Sequence, residues 1–236
     1  MKAIILAGGK GTRLAPYTTV LPKPLLPIGD MPIIDVVIRQ LAFHGFDDIT
    51  LAVGYLAELI MAYCHNGDRY GLKLNYSREE TPLGTAGPIS LVSNLNDTFL
   101  VMNGDLLTNI DYRSMWAYHK KRGSVATLAV YRREVKIDFG ITESDDEQWL
   151  TDYIEKPVYR YAVSTGIYIF EPSILRYIPF GHPLDLPDLV KRLLSQGEKV
   201  CTYPFSGYWL DIGRHEDYET ALRDFESLRH QILPPS

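Results

Sequence analysis

The opening segment, Met1-Lys2-Ala3-Ile4-Ile5-Leu6-Ala7-Gly8-Gly9-Lys10-Gly11-Thr12-Arg13-Leu14, constrains the fold more than any other stretch of the chain. Ala3 to Leu6 is an uninterrupted apolar run of strand length that stops at Gly8-Gly9. A strand with no polar face must be covered on both sides, which is the situation of parallel sheets sandwiched by helices. The glycine-rich turn behind it carries Lys10 and Arg13. Glycines that bare backbone N–H groups, with fixed cations beside them, are what a polyphosphate requires.

The same alternation continues through the first half. Ile33, Ile34, Val37, Ile38 and Leu41 recur at helical spacing, with Asp30 and Pro32 as start signals and Gly45 as a stop. Strands are expected over 49–53, 72–76, 99–102 and 125–131, and helices over 56–63, 86–95 and 111–122. After about residue 135 the connections shorten. Strands are expected over 139–143, 149–155, 163–170 and 200–203, and helices over 186–194 and 216–229. The fold class that follows is α/β: a Rossmann-like, mostly parallel central sheet flanked by helices, joined to a mixed α+β half. No linker, repeat or low-complexity stretch divides the chain. We expect one domain over 1–236, with a nucleotide-binding half over about 1–130 and a substrate-binding half over about 131–236. Ligands of open α/β sheets lie outside the carboxyl ends of the strands, so the loops after Leu6, Val53, Tyr76 and Met102 should meet at one crevice.

Composition excludes several classes of function. A formal net charge of −5 argues against nonspecific nucleic-acid binding, which needs a basic surplus. No segment approaches the roughly 18 apolar residues of a membrane span. Cys64 and Cys201, the only two cysteines, match no metal-ligand spacing and read as reduced structural thiols. A cytoplasmic protein is expected, with homo-oligomerisation left open. His119-Lys120-Lys121-Arg122 before Gly123 reads as cations at a helix C-terminus.

The glycine-rich loop fits neither of the two commonest phosphate templates. A dinucleotide fingerprint wants a third glycine where Leu14 stands, and a P-loop wants Ser or Thr after its lysine, where Gly11 stands. Lys23 lies between Pro22 and Pro24. Proline fixes its own φ and pushes the residue before it toward an extended conformation, so this lysine is held rather than left free.

Leu6-Ala7-Gly8-Gly9-Lys10-Gly11-Thr12-Arg13-Leu14 followed by Pro22-Lys23-Pro24-Leu25-Leu26-Pro27-Ile28 resembles the signature of sugar-1-phosphate nucleotidylyltransferases. Later segments resemble further elements of that family in the same order: Pro82-Leu83-Gly84-Thr85-Ala86-Gly87, Asn103-Gly104-Asp105, Phe139-Gly140, Glu155-Lys156-Pro157, Ser164-Thr165-Gly166-Ile167-Tyr168 and Trp209-Leu210-Asp211-Ile212-Gly213. The resemblance implies a nucleoside against Leu6, Ala7, Gly8, Gly9, Gly11 and Thr12, bordered by Gly84, Thr85 and Glu80, with Glu79 nearby. It implies that Arg13 grips the β- and γ-phosphates, that Lys23 serves the reacting phosphates, and that these two cations are catalytic. Gly140, Glu155, Lys156, Thr165 and Gly166 are implied for the sugar phosphate. Asp105 and Asp211 are implied as ligands of Mg²⁺, a hard ion suited to carboxylate and phosphate oxygens. The expected reaction joins a nucleoside triphosphate, GTP by the loop variant, to a sugar 1-phosphate such as mannose 1-phosphate or a related heptose 1-phosphate, releasing pyrophosphate. Thymidylyl, uridylyl and cytidylyl transfer remain alternatives. So does a noncatalytic nucleotide-sugar-binding relative.

Overall fold

A computed structural model describes residues 1–233. At its centre is a seven-stranded sheet in the order β12-β8-β11-β6-β1-β4-β5. The first four of these in sequence are β1 (Lys2–Ala7), β4 (Asp48–Val53), β5 (Lys73–Arg78) and β6 (Phe99–Asn103). They pair in parallel, Lys2 opposite both Asp48 and Phe99, and Asp48 opposite Lys73. The next sheet strands are β8 (Ala126–Lys136), β11 (Val158–Phe170) and β12 (Val200–Phe205). Here β11 runs antiparallel between β6 and β8, while β12 returns parallel to β8. The sheet is therefore mostly parallel, with one reversed strand at its centre.

Helices α1 (Ile33–Phe43), α2 (Ala57–Cys64), α3 (Tyr112–Arg122) and α5 (His215–Ile232) cover one face, packing Ile38, Ile60, Met115 and Phe225 around Ile5 and Leu100. Helix α4 (Leu186–Ser195) covers the other, where Leu189 joins Ile4, Val101 and Phe170. The caps follow from local chemistry. Asp111 accepts the Ser114 N–H at 3.0 Å ahead of α3, and Gly123 closes that helix at φ +58°.

Three local expectations need correction. Asp30 does not cap α1; Pro32 occupies that position without a side-chain cap, and Asp30 pairs with Arg229 at 2.8 Å. Residues 86–95 hold only a 3₁₀ turn, Gly87–Leu91, rather than a helix. Pro88 removes one donor, and the N–H groups of Ala86 and Gly87 both go to the Leu184 carbonyl. His119 is no solvated cation: it is fully buried between Thr127 (2.7 Å) and Glu171 (3.2 Å), and burial pushes its pKa down.

Short pairs complete the architecture: β2 (Pro27–Ile28) with β3 (Met31–Pro32), and β9 (Ile141–Ser144) with β10 (Leu150–Ile154). A further pair, β7 (Leu106–Thr108) with β13 (Trp209–Asp211), sets Asp211 opposite Leu106. It links the two halves of the chain beside the crevice. Beyond Tyr131, β8 leaves the sheet with β11 as a two-stranded ribbon, Arg132–Lys136 against Val158–Ala162. No helix among the described residues is long and apolar enough to cross a membrane.

Candidate active site

The loops that leave the carboxyl ends of β1, β4, β5 and β6 converge as the sheet rule requires. Together they line a cleft of about 840 Å³ that takes in Leu6, Gly8, Gly9, Lys10, Gly54, Glu79, Glu80, Gly84, Thr85, Asn103 and Asp105. Its volume falls in the range of small-molecule sites, roughly 300 to 1,000 Å³.

Close backbone approach explains the glycines on its wall. A Cβ on Gly54 would lie 3.0 Å from the Gly8 carbonyl oxygen, and one on Gly8 would overlap the Glu79 carboxylate. Gly9, by contrast, faces open space: nothing lies within 4 Å of the Cβ it lacks. The Glu79 carboxylate is therefore packed over the Gly8–Gly54 contact, where it accepts the Leu83 N–H at 3.0 Å. Burial raises its pKa, and that hydrogen bond opposes the rise. Glu80 is exposed in the same cleft and makes no hydrogen bond or ion pair among the described residues. Gly11 has φ +61°, and its carbonyl accepts the Thr18 hydroxyl at 2.8 Å, which ties the loop down where Thr12 and Arg13 begin a 3₁₀ turn.

Gly84 is left-handed at φ +74° and presses on the segment before α4. Thr85 is held there by Asp185, which accepts its N–H at 3.0 Å and its hydroxyl at 3.2 Å. The Thr85 hydroxyl also accepts the Leu186 N–H at 2.7 Å. Its side chain and its N–H thus shape the loop. Asp185 had a local signal, as an Asp ahead of a Leu-Pro helix start, but its partner lies 100 residues away.

Charge gathers at one end of the cleft. The Lys23 ammonium is paired with Asp105 Oδ2 and lies 3.9 Å from Asp211 Oδ1. Asp105 Oδ1 is buried and has no hydrogen-bond partner among the described residues. Burial and the nearby Asp105 raise the Asp211 carboxyl above its ordinary pKa, while Lys23 and Arg13 oppose the rise. Arg13 is exposed and stands beside Gly213, whose absent Cβ would lie 3.4 Å from Nη2. Two carboxylates and two cations from four separated stretches of chain are thus brought together. An orphaned carboxylate oxygen beside a second carboxylate is a donor set suited to a hard divalent cation. Among the described residues no group of three or more His, Cys, Asp or Glu side chains has metal-binding geometry.

The remaining sugar-phosphate candidates fall into two groups. Gly166 sits at φ +77° where the β11–β8 register shifts, and a Cβ there would lie 2.7 Å from Asn103 Nδ2 at the cleft edge. Thr165 is buried; its hydroxyl donates to the Ala129 carbonyl at 3.0 Å and its own carbonyl accepts the Trp209 indole N–H at 2.9 Å. Both Thr165 polar groups therefore hold the strand behind Gly166. Gly140, Glu155 and Lys156 belong instead to the β9–β10 hairpin and its exit, with Glu155 3.8 Å from Lys156 and both side chains exposed. Neither of these charged residues lines the cleft around Gly8 and Glu79.

A family model for nucleotidyl transferases matches residues 2–227. The chain is 37% identical over 243 residues to a UTP–glucose-1-phosphate uridylyltransferase of Synechocystis sp., covering 94% of this chain and 63% of that protein. It is 32% identical over 249 residues to a mannose-1-phosphate guanyltransferase of Schizosaccharomyces pombe, covering all of this chain and 68% of the relative. A solved structure from Bacillus anthracis, assigned as a glucose-1-phosphate thymidylyltransferase and bound to sucrose, superposes with a TM-score of 0.76 at 26% identity, covering 94% of each chain. With a site of this kind at the sheet's carboxyl end, the chain belongs to the nucleotidyl transferase family. It spans roughly two thirds of the length of the two relatives named from sequence.

Proposed function

We propose that this chain condenses a nucleoside triphosphate with a sugar 1-phosphate to give a nucleotide-diphospho-sugar and pyrophosphate. The observation that carries the reading is the Lys23, Asp105 and Asp211 cluster at the end of a glycine-walled cleft. The nucleoside lies along Ala7, Gly8 and Gly9, where no side chain holds it off. Arg13 makes no hydrogen bond or ion pair among the described residues, so its guanidinium fork is free for the β- and γ-phosphates. Lys23 neutralises charge at the α-phosphate.

The sugar phosphate needs no general base, because its second pKa of about 6 leaves it an oxyanion near neutral pH. One of its oxygens attacks the α-phosphorus, the bond from that phosphorus to the bridging oxygen breaks, and pyrophosphate departs in line. The chain's part is positioning and charge neutralisation. Asp105 and Asp211 fit Mg²⁺, which when bound supplies positive charge to the phosphate oxygens. Glu155 accepts hydrogen bonds from sugar hydroxyls, and Lys156 takes the sugar's phosphate. Gly140 and Gly166 offer backbone to the sugar.

GTP and mannose 1-phosphate, or a related heptose 1-phosphate, are the pair we favour. Guanine presents two neighbouring donors, N1–H and N2–H₂, and a carboxylate accepts both. Glu79 and Glu80 put carboxylates in the cleft, whereas uracil and thymine offer one donor on the corresponding edge. The Schizosaccharomyces pombe relative is a mannose-1-phosphate guanyltransferase. This reading puts the protein in the cytoplasm.

The test is pyrophosphate release with each triphosphate against a panel of sugar 1-phosphates. GTP with mannose or heptose 1-phosphate should turn over fastest. Turnover confined to UTP or dTTP with glucose 1-phosphate would replace the base and sugar reading. No turnover with any pair would overturn catalysis and favour a nucleotide-sugar-binding protein.

A further inference from the structure

The β9–β10 hairpin joins Gly140 and Glu155 to a third residue, Tyr153, that the reaction as described does not use. Strand alternation puts Tyr153 and Glu155 on the same face, and the Tyr153 hydroxyl donates to Glu155 Oε2 at 3.0 Å. Tyr153 lies opposite Thr142 and Ile154 opposite Ile141, which brings Gly140 diagonally under the Tyr153 ring. A Cβ on Gly140 would overlap the Tyr153 phenol oxygen and the carbon that bears it, and would come within 3.0 Å of Cε2. Gly140 is not in the left-handed region. The backbone therefore does not demand a glycine here; the space over it does.

Among the described residues Glu155 has no other tether of this quality. Its side chain is exposed, and its ion pair with Lys156 spans 3.8 Å between two exposed groups, an interaction of little strength. Lys156 itself sits at φ +43°, so the chain turns sharply just after Glu155 and the backbone does not carry strand geometry through it. What fixes the carboxylate is the phenol, and what seats the phenol is the missing Cβ of Gly140.

We propose that Tyr153 is a positioning residue of the sugar-phosphate subsite, holding Glu155 in place from a seat that Gly140 keeps open. This rests on the reading of Glu155 as a sugar ligand given above.

The experiment is a mutant cycle in KM for mannose 1-phosphate and for GTP, with folding checked by circular dichroism. Glu155→Gln should raise KM for the sugar phosphate about tenfold, the effect of losing roughly 1.4 kcal/mol. Tyr153→Phe, which keeps the ring, should raise it about three- to tenfold and leave KM for GTP unchanged, as loss of one solvent-exposed hydrogen bond would. The double variant should be no worse than Glu155→Gln alone. Gly140→Ala should raise the same KM, and Gly140→Ala combined with Tyr153→Ala should be no worse than Tyr153→Ala. If Glu155→Gln raises KM and Tyr153→Phe does not, or if their effects multiply, the positioning role is overturned while Glu155 stands as a sugar ligand. If Glu155→Gln itself leaves KM for the sugar phosphate unchanged, the subsite reading falls and this proposal with it.

Discussion

The glycine-lined wall of the cleft and the β9–β10 hairpin are built on opposite principles. Gly8, Gly9 and Asp105 follow β1 and β6, parallel strands whose side chains are almost wholly buried on both faces. Gly140, Glu155 and Lys156 ride on a two-stranded hairpin and ribbon that leave the sheet, with Phe139 79% and Trp149 70% exposed. Loops anchored at strand ends by a packed core are fixed before a ligand arrives. A hairpin with few buried contacts opens locally at low cost. On the proposed reading, one half of the site is preorganised, while the other relies on local tethers such as the bond from Tyr153 to Glu155.

That contrast can be broken most directly at the charge cluster. Asp105→Ala should lower kcat about a hundred- to a thousandfold, the scale of losing one preorganised charge-stabilising group, with the melting temperature nearly unchanged. A fully active Asp105→Ala protein at saturating Mg²⁺ would remove the metal assignment. The core comes next. Phe99→Ala, at a fully buried position, should cost about 3 to 5 kcal/mol in a denaturant titration. Phe139→Ala should cost no more than about 0.5 kcal/mol. Equal losses would show that the hairpin is packed after all.

Two glycines sharpen the comparison within the cleft wall. Gly8→Ala must displace the Glu79 carboxylate, so both the melting temperature and nucleotide affinity should fall, the KM for GTP rising about tenfold. Gly9→Ala meets nothing in the free protein and should change only the KM. The smallest effect is at Asp211. Its raised pKa means that the folded protein holds this proton more tightly than the unfolded chain does. The stability from that proton is present at acid pH and lost as pH rises through the raised value. In metal-free buffer, Asp211→Asn should therefore melt slightly higher than the native protein at pH 7. The gap should close below about pH 4, where an ordinary aspartate is protonated in the unfolded chain too. A lower melting temperature for the variant at pH 7 would contradict the geometry.

Much of this was legible in the sequence where one short segment carries its own signal. The apolar run into Gly8-Gly9, Asp111 and Gly123 around α3, and the convergence of four strand-end loops all follow from local pattern. The juxtaposition of Asp105 with Asp211 does not. It is made by β7 and β13, each three residues long and about a hundred residues apart, too short to show alternation. His119 was misread because a run of cations at a helix end gives no hint that one of them turns inward toward Thr127 and Glu171. The ribbon beyond Tyr131 is longer than its pattern implied, since exposed strands lose the apolar regularity that marks buried ones. Tyr153 and Gly140 meet only through cross-strand register, which neither residue announces alone.

The pairing of β7 with β13 has a temporal consequence. A growing chain emerges from its amino end, and Asp105 is made long before Asp211. Until β13 has been synthesised and has docked, the crevice holds a single carboxylate beside Lys23. On the proposed reading, catalytic competence therefore waits on the docking of β13, one of the last strands to be made.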